Sequence, residues 1–258
     1  MNSVLFEIKN AVAYITLNRP DKFNSFNGEM ALRLQGHLNE CADMTDVRCV
    51  YITGSGKAFS AGQDLSELVG DDPIGIDKIL SEHYNPVIKA IRNIPKPVIA
   101  AVNGVAAGAG ANIALCCDIV VATQSASFIQ AFSKIGLIPD SGGTFFLPRL
   151  IGWQKASALM MLGEKISSTE AERLGMIFKV FADESFADES MKMANTLGQM
   201  PTRGLAFTKQ ALNYSLSSSF ESQLSTENAL QQKAAKTYDY NEGVAAFLEK
   251  RIPVFKGE

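Results

Sequence analysis

From Val4 to Thr123, short apolar runs alternate with stretches of helical period; after Gly143 the alternation stops and nearly every segment reads as helix. That order is the tightest limit on the fold. Strand and helix taken in turn favour an α/β body with right-handed crossovers. A helical rear must then pack on that body or on a neighbouring subunit. Val4 to Ile8 and Val12 to Leu17 alternate as strands, joined by Asn10-Ala11 as a hairpin turn. Asn18-Arg19-Pro20-Asp21 ends the second strand as a loop. Met30, Leu34, Leu38 and Cys41 recur at helical spacing and predict a helix from Asn27 to Ala42. Cys49 to Thr53, Pro97 to Val102 and Ile119 to Thr123 predict buried strands. Ile76 to Asn93, after a break at Asp71-Asp72-Pro73, and Gly110 to Cys117 predict helices. Behind Gly143, helices are predicted over 144–161, 169–174, 183–200, 203–214, 220–235 and 241–250, with one strand at Ile177 to Phe181.

A chain of 258 residues can bury a substantial core. Its net charge is −3 and it has no basic block, which speaks against nucleic acid and anionic membrane as partners. No apolar run approaches ~18 residues, so no membrane span is expected. Met1 to Asn10 carries no basic stretch followed by an apolar run, so no leader is expected either. Cys41, Cys49, Cys116 and Cys117 form no C-x-x-C pair and read as reduced, partly buried thiols in a cytoplasm. His37 and His83, the only histidines, fall on predicted helices among polar neighbours and read as surface or half-buried, so no metal site is expected.

Three glycine-bearing segments carry chemistry if they meet: Ala61-Gly62-Gln63-Asp64, Gly108-Ala109-Gly110-Ala111 and Ile138-Pro139-Asp140-Ser141-Gly142-Gly143. Two bends with free backbone N–H groups can hold a developing oxyanion, and one carboxylate can move a proton. The apolar neighbours Ile135, Leu137, Ile138, Phe145 and Phe146 would raise the pKa of that carboxyl. The plainer alternatives are tight strand-to-helix turns for the glycines and a turn or helix N-cap for Asp140. Other matches fail. Gly54-Ser55-Gly56-Lys57 lacks the outer residues of a phosphate loop, Gly108-Ala109-Gly110 does not complete G-x-G-x-x-G, and Ser141 has no nucleophile elbow.

The chain resembles the crotonase (enoyl-CoA hydratase/isomerase) superfamily in Asn18-Arg19-Pro20, Lys57 to Leu65, Pro97 to Gly104, Cys117-Asp118 and Gly136 to Gly143. The resemblance runs from Val4 to Phe255 in the family's order. It implies a crotonase-like spiral of ββα units over residues 1–200 and a C-terminal helical trimerisation region over 201–258, assembled as a homotrimer or a dimer of trimers. It implies an acyl-CoA substrate, with coenzyme A as part of that substrate and no separate cofactor. The thioester oxygen would accept hydrogen bonds from the backbone N–H groups of Gln63 and Ala109, and Asp140 would carry the proton. Lys22, Phe23, Ala61, Asp64 and Leu65 match the coenzyme A segments; Gly110, Asn112 and Phe132 match positions around the acyl group. Arg251 and Lys256 are better read as solvated surface charges.

Hydratases of the family hold water between two glutamates. The matching positions here are Asn112 and Phe132, so isomerisation is expected over hydration. Ala126 to Phe132, leading into the Asp140 segment, resembles the members that convert ring-1,2-epoxyphenylacetyl-CoA to oxepin-CoA in phenylacetate degradation. Phe132, Phe145 and Phe146 are candidates for an aromatic pocket, and ordinary core packing accounts for each nearly as well. The alternatives are a Δ3-Δ2-enoyl-CoA isomerase, a hydratase, an aryl-CoA dehalogenase whose aspartate attacks the ring, and a non-catalytic binding protein on the same fold.

Overall fold

The structure, a computed structural model, describes residues 2–69 and 73–258. The expected break at Asp71-Asp72 lies outside the described residues. Among the described residues there are ten strands: β1 (Val4–Lys9), β2 (Val12–Leu17), β3 (Cys49–Gly54), β4 (Ala58–Ser60), β5 (Val98–Val102), β6 (Val105–Ala107), β7 (Ile119–Thr123), β8 (Ser127–Ile129), β9 (Lys165–Ser167) and β10 (Lys179–Phe181). They form a six-stranded sheet in the order β1-β2-β3-β5-β7-β10 and a four-stranded sheet in the order β4-β6-β8-β9. The repeat is legible in that order. A long strand of the first sheet is followed by a three-residue strand of the second, three times over, and the connections run parallel.

Local chemistry explains the framework. Asn10 and Ala11 both hold positive φ, 52° and 62°, the geometry of a two-residue hairpin turn between β1 and β2. Every residue of β5 is buried, as expected of a central parallel strand covered on both faces. Helix α1 (Gly28–Asp43) is capped by the Asn27 side chain, which accepts from Met30 N–H. Its buried side chains Met30, Leu34, Leu38 and Cys41 follow the predicted spacing.

Several expectations fail in instructive ways. The stretch from Ile76 to Asn93 is α2 (Ile76–Lys78), a wider-wound π-helical segment (Ile79–Tyr84) and α3 (Asn85–Asn93). The extra residue per turn buries His83 as well as Tyr84, so His83 is neither surface nor half-buried. Helix α4 (Ala109–Leu115) ends two residues earlier than predicted. The helix predicted over 144–161 is two, α5 (Gly143–Ile151) and α6 (Trp153–Leu162), because Gly152 at φ 78°, ψ 161° turns the chain out of helix. All four cysteines are free and buried.

The rear follows as α7 (Ser168–Arg173), α8 (Phe186–Gln199), α9 (Thr202–Ser215), α10 (Phe220–Ala234) and α11 (Tyr238–Glu249). Lys209 of α9 pins this region to the body. Its buried ammonium lies 2.7 Å from the Asp118 carboxylate and donates to the carbonyls of Ile91 (2.7 Å) and Lys96 (3.1 Å). Arg92 of α3 reaches Asp118 at 3.1 Å and the Cys116 carbonyl at 2.9 Å. Among the described residues no helix is long and apolar enough to cross a membrane. Asp118→Ala would leave two cations facing each other without their counter-charge, and is expected to cost about 3–5 kcal/mol in urea unfolding; a loss within 1 kcal/mol would show that the pin is a surface-like pair.

Candidate active site

The parallel pairing of β4 with β6 sets Ala58 beside Val105 and Ser60 beside Ala106, so both strands end at the same edge of the small sheet. Each end carries a glycine bend. Gly62 has φ 88°, and a Cβ there would sit 2.8 Å from the Ala107 carbonyl and 3.4 Å from the Ala109 nitrogen. Gly108 has φ 52° and ψ −128°, open to glycine alone, and turns the chain into α4. A Cβ on Gly110 would meet Ser60 Cβ at 2.7 Å, so α4 lies directly on β4. The two bends are therefore in backbone contact. The N–H groups of Gln63 and Ala109 have no hydrogen-bond acceptor among the described residues. The Ala109 N–H is one of the donors that the first turn of a helix leaves free.

Gln63 and Ala109 share a cavity of about 490 Å³ with Asp140. Ala61, Leu65 and Phe132, also expected at the site, stand in its wall. Leu68, Ile79, Leu80, Ile135, Leu137 and Ile138 make that wall largely apolar. Burial raises the Asp140 pKa above the usual carboxylate range, and the Ser141 hydroxyl, donating to Oδ1 at 2.8 Å, holds it partly down. The N-cap alternative for Asp140 fails, since Gly142 is the N-cap of α5 and no side chain caps it. The Asp140 backbone carbonyl accepts from Gly143 N–H at 2.8 Å and from the Asn112 amide at 2.9 Å.

Other expected residues lie elsewhere. Lys22, Phe23, Asp64, Gly110 and Asn112 do not line the cavity. Asp64 is held by Arg19 at 2.8 Å and by the hydroxyl and N–H of Ser66, which gives Asn18-Arg19-Pro20 a structural duty beside the Gly62 bend. Gly110 packs on Ser60, and the buried Asn112 side chain turns to Asp140 and Gln130. Phe145 and Phe146 also miss the cavity. Phe145 lies under the Arg149 guanidinium, and Phe146 packs on the core beneath Gly142. Arg251 is paired with Glu242 and Glu249 at the surface, and Lys256 lies over the Tyr238 ring.

Tyr84 is the residue the sequence hid. Its hydroxyl donates to the Gln63 side chain at 2.8 Å, whose amide in turn donates to Glu67 at 3.0 Å, fixing the residue that carries one free N–H. Burial, and after it the charge of Asp140, push the Tyr84 pKa well up. Only the π-helical turn places Tyr84 there, and a period-3.6 reading cannot see it. Among the described residues no group of three or more His, Cys, Asp or Glu is placed to hold a metal ion.

The family model for Enoyl-CoA hydratase/isomerase matches residues 7–258, and the chain belongs to that family, with the crotonase fold and the family's acyl-CoA chemistry. It is 44% identical, over all of both chains, to a 1,2-epoxyphenylacetyl-CoA isomerase of Escherichia coli strain K12. It is 41% identical to a probable enoyl-CoA hydratase of Rhodobacter capsulatus, covering 99% of this chain and 98% of that one. A crystal structure from Mycobacterium abscessus, described as a putative enoyl-CoA hydratase/isomerase, superposes with a TM-score of 0.94 at 36% identity, over 99% of this chain and all of that one.

A base that works as its carboxylate sets the sign of a pH effect. Turnover is expected to rise with pH through a midpoint above the ordinary carboxylate range. Ser141→Ala removes a donor that favours the ionised form, so it should move that midpoint to still higher pH. A pH–kcat profile of both proteins checks this, and a midpoint unmoved or lowered in Ser141→Ala would contradict the assignment.

Proposed function

We propose that the chain is an acyl-CoA isomerase that works through a thioester enolate, converting ring-1,2-epoxyphenylacetyl-CoA to oxepin-CoA. The observation that carries this reading is a single raised-pKa carboxyl, Asp140, sharing one apolar cavity with the free N–H groups of Gln63 and Ala109. The two positions that match the hydratase glutamates are occupied by Asn112, committed to the Asp140 carbonyl, and by Phe132, an apolar wall. Neither can activate water.

In this reading the thioester oxygen accepts from Gln63 and Ala109, which stabilises the enolate and acidifies the α-carbon. Asp140 takes the α-proton, and the electron pair moves into the thioester. The bond shared by the two epoxide carbons opens to the seven-membered ether, and Asp140 returns its proton to a ring carbon. Substrate and product have the same atoms, so the reaction consumes no water and no redox equivalent. The same groups would move the double bond of a 3-enoyl-CoA, and the 44% identity to the Escherichia coli isomerase favours the ring substrate. The exposed apolar side chains Phe247, Leu248 and Ile252 support assembly into trimers or pairs of trimers.

Asp140→Asn is expected to lower kcat by at least about 10²–10⁴-fold while the dissociation constant for the thioester stays within a few-fold of wild type. Assays with the epoxide thioester and with 3-hexenoyl-CoA, side by side, check this. Wild-type-like turnover in the variant would refute the role of Asp140, and exclusive turnover of 3-hexenoyl-CoA would replace the ring substrate.

A further inference from the structure

We propose that Asn112 and Gln130 are positioning residues, a buried amide strut that fixes the Asp140 turn at a set height above the oxyanion donors. The proposal rests on the enolate reading and adds what holds its base in place. Gln130 follows β8 and is 2% exposed, and Asn112, on α4, is 1% exposed. Gln130 Nε2 donates to Asn112 Oδ1 at 2.8 Å, and Asn112 Nδ2 donates to the Asp140 carbonyl at 2.9 Å. Asn112 stands one helical turn after Ala109 on the same short, wholly buried helix. The strut therefore ties the base to the helix whose first N–H faces the thioester.

Two further features show that this contact is built in. A Cβ on Gly143 would lie 2.7 Å from Asn112 Cγ, so only glycine lets α5 start against that amide. Ser141 holds φ 50° although it is not glycine, and a strained residue of this kind persists only where its surroundings fix it. Gln130 has a distinct task within the pair. An asparagine amide can face either way, and with its oxygen toward the Asp140 carbonyl it would repel. The donor from Gln130 occupies Asn112 Oδ1 and so aims Nδ2 at the carbonyl. Thus the position where a hydratase keeps an acid here holds the turn that carries the base.

The test uses Asn112→Leu, which keeps the buried volume and loses the donor, and Gln130→Met, which loses only the orientation of Asn112. Both are measured for kcat, KM and thermal unfolding, and the Asp140 carboxyl is titrated by difference infrared spectroscopy, assigned by its loss in Asp140→Asn. Among the described residues, Tyr84 from the π-helical turn interacts with the charge of that carboxyl and Lys134 lines the same cavity, and both variants leave them in place. Each variant is expected to lose up to about 10²-fold in kcat, as a displacement of about 1 Å does, with KM within twofold. The Asp140 midpoint should fall toward the ordinary carboxylate value as the turn admits water, and the double variant should be no slower than Asn112→Leu alone.

Wild-type kcat and an unmoved Asp140 midpoint in both variants would overturn the strut. So would a kcat loss that tracks lowered unfolding temperature with the midpoint unmoved. The infrared titration needs no turnover. A wild-type enzyme inactive on both thioesters would defeat the isomerase reading while the titration still decides the strut.

Discussion

Everything at the site depends on one backbone-to-backbone contact, that of the Gly62 bend against the head of α4. The margin is small: a methyl group on Gly62 would lie 2.8 Å from the Ala107 carbonyl, and one on Gly110 would overlap Ser60. Parallel pairing of β4 with β6 brings the two strand ends to the same edge, and the glycines let the bends close. Two N–H groups, of Gln63 and Ala109, are thereby left on one cavity without acceptors among the described residues. In the proposed reading folding preorganises them, so nothing has to reorient when charge develops on the thioester oxygen.

Asp140 is set by different forces. Its apolar surroundings keep the proton on it at higher pH than a solvated carboxyl would, and the Ser141 hydroxyl tempers that shift. The turn that carries it is strained at Ser141 and glycine-tight at Gly142 and Gly143. Such a turn needs external restraint, and the amides of Asn112 and Gln130 supply it from beneath. The Asp140 turn and the free N–H of Ala109 thus share a common support in α4. On the far side, the Lys209–Asp118–Arg92 cluster fixes the rear helices against α3 and the end of the same helix.

The long strands and α1 were legible because each carries its own hydrophobic signal over five residues or more, as in β2 and β5. The second sheet was not. Ala58–Ser60, Val105–Ala107, Ser127–Ile129 and Lys165–Ser167 are three residues each, too short for an alternation to register, and they exist only because they pair with one another. Reading a simple strand–helix alternation followed from missing them. That Gln63, Ala109 and Asp140 share one cavity was legible because glycine bends and a lone acid in apolar company leave a mark in sequence. For Phe145 and Phe146 the core-packing or surface alternative holds over the pocket, since an aromatic beside a site and one in the core under it look alike before the helix direction is known. Tyr84, Ser141 and Gln130 act through hydrogen bonds whose geometry no periodicity encodes.

Phenylacetyl-CoA, which has the thioester and the α-protons but no ring epoxide, isolates the central claim. Incubated with the enzyme in D₂O, it should lose its α-protons to solvent in a wild-type-dependent way, followed by NMR, with no exchange in Asp140→Asn. A wild-type enzyme that binds phenylacetyl-CoA yet leaves its α-protons in place would contradict a carboxylate and two main-chain amides acting together on one thioester.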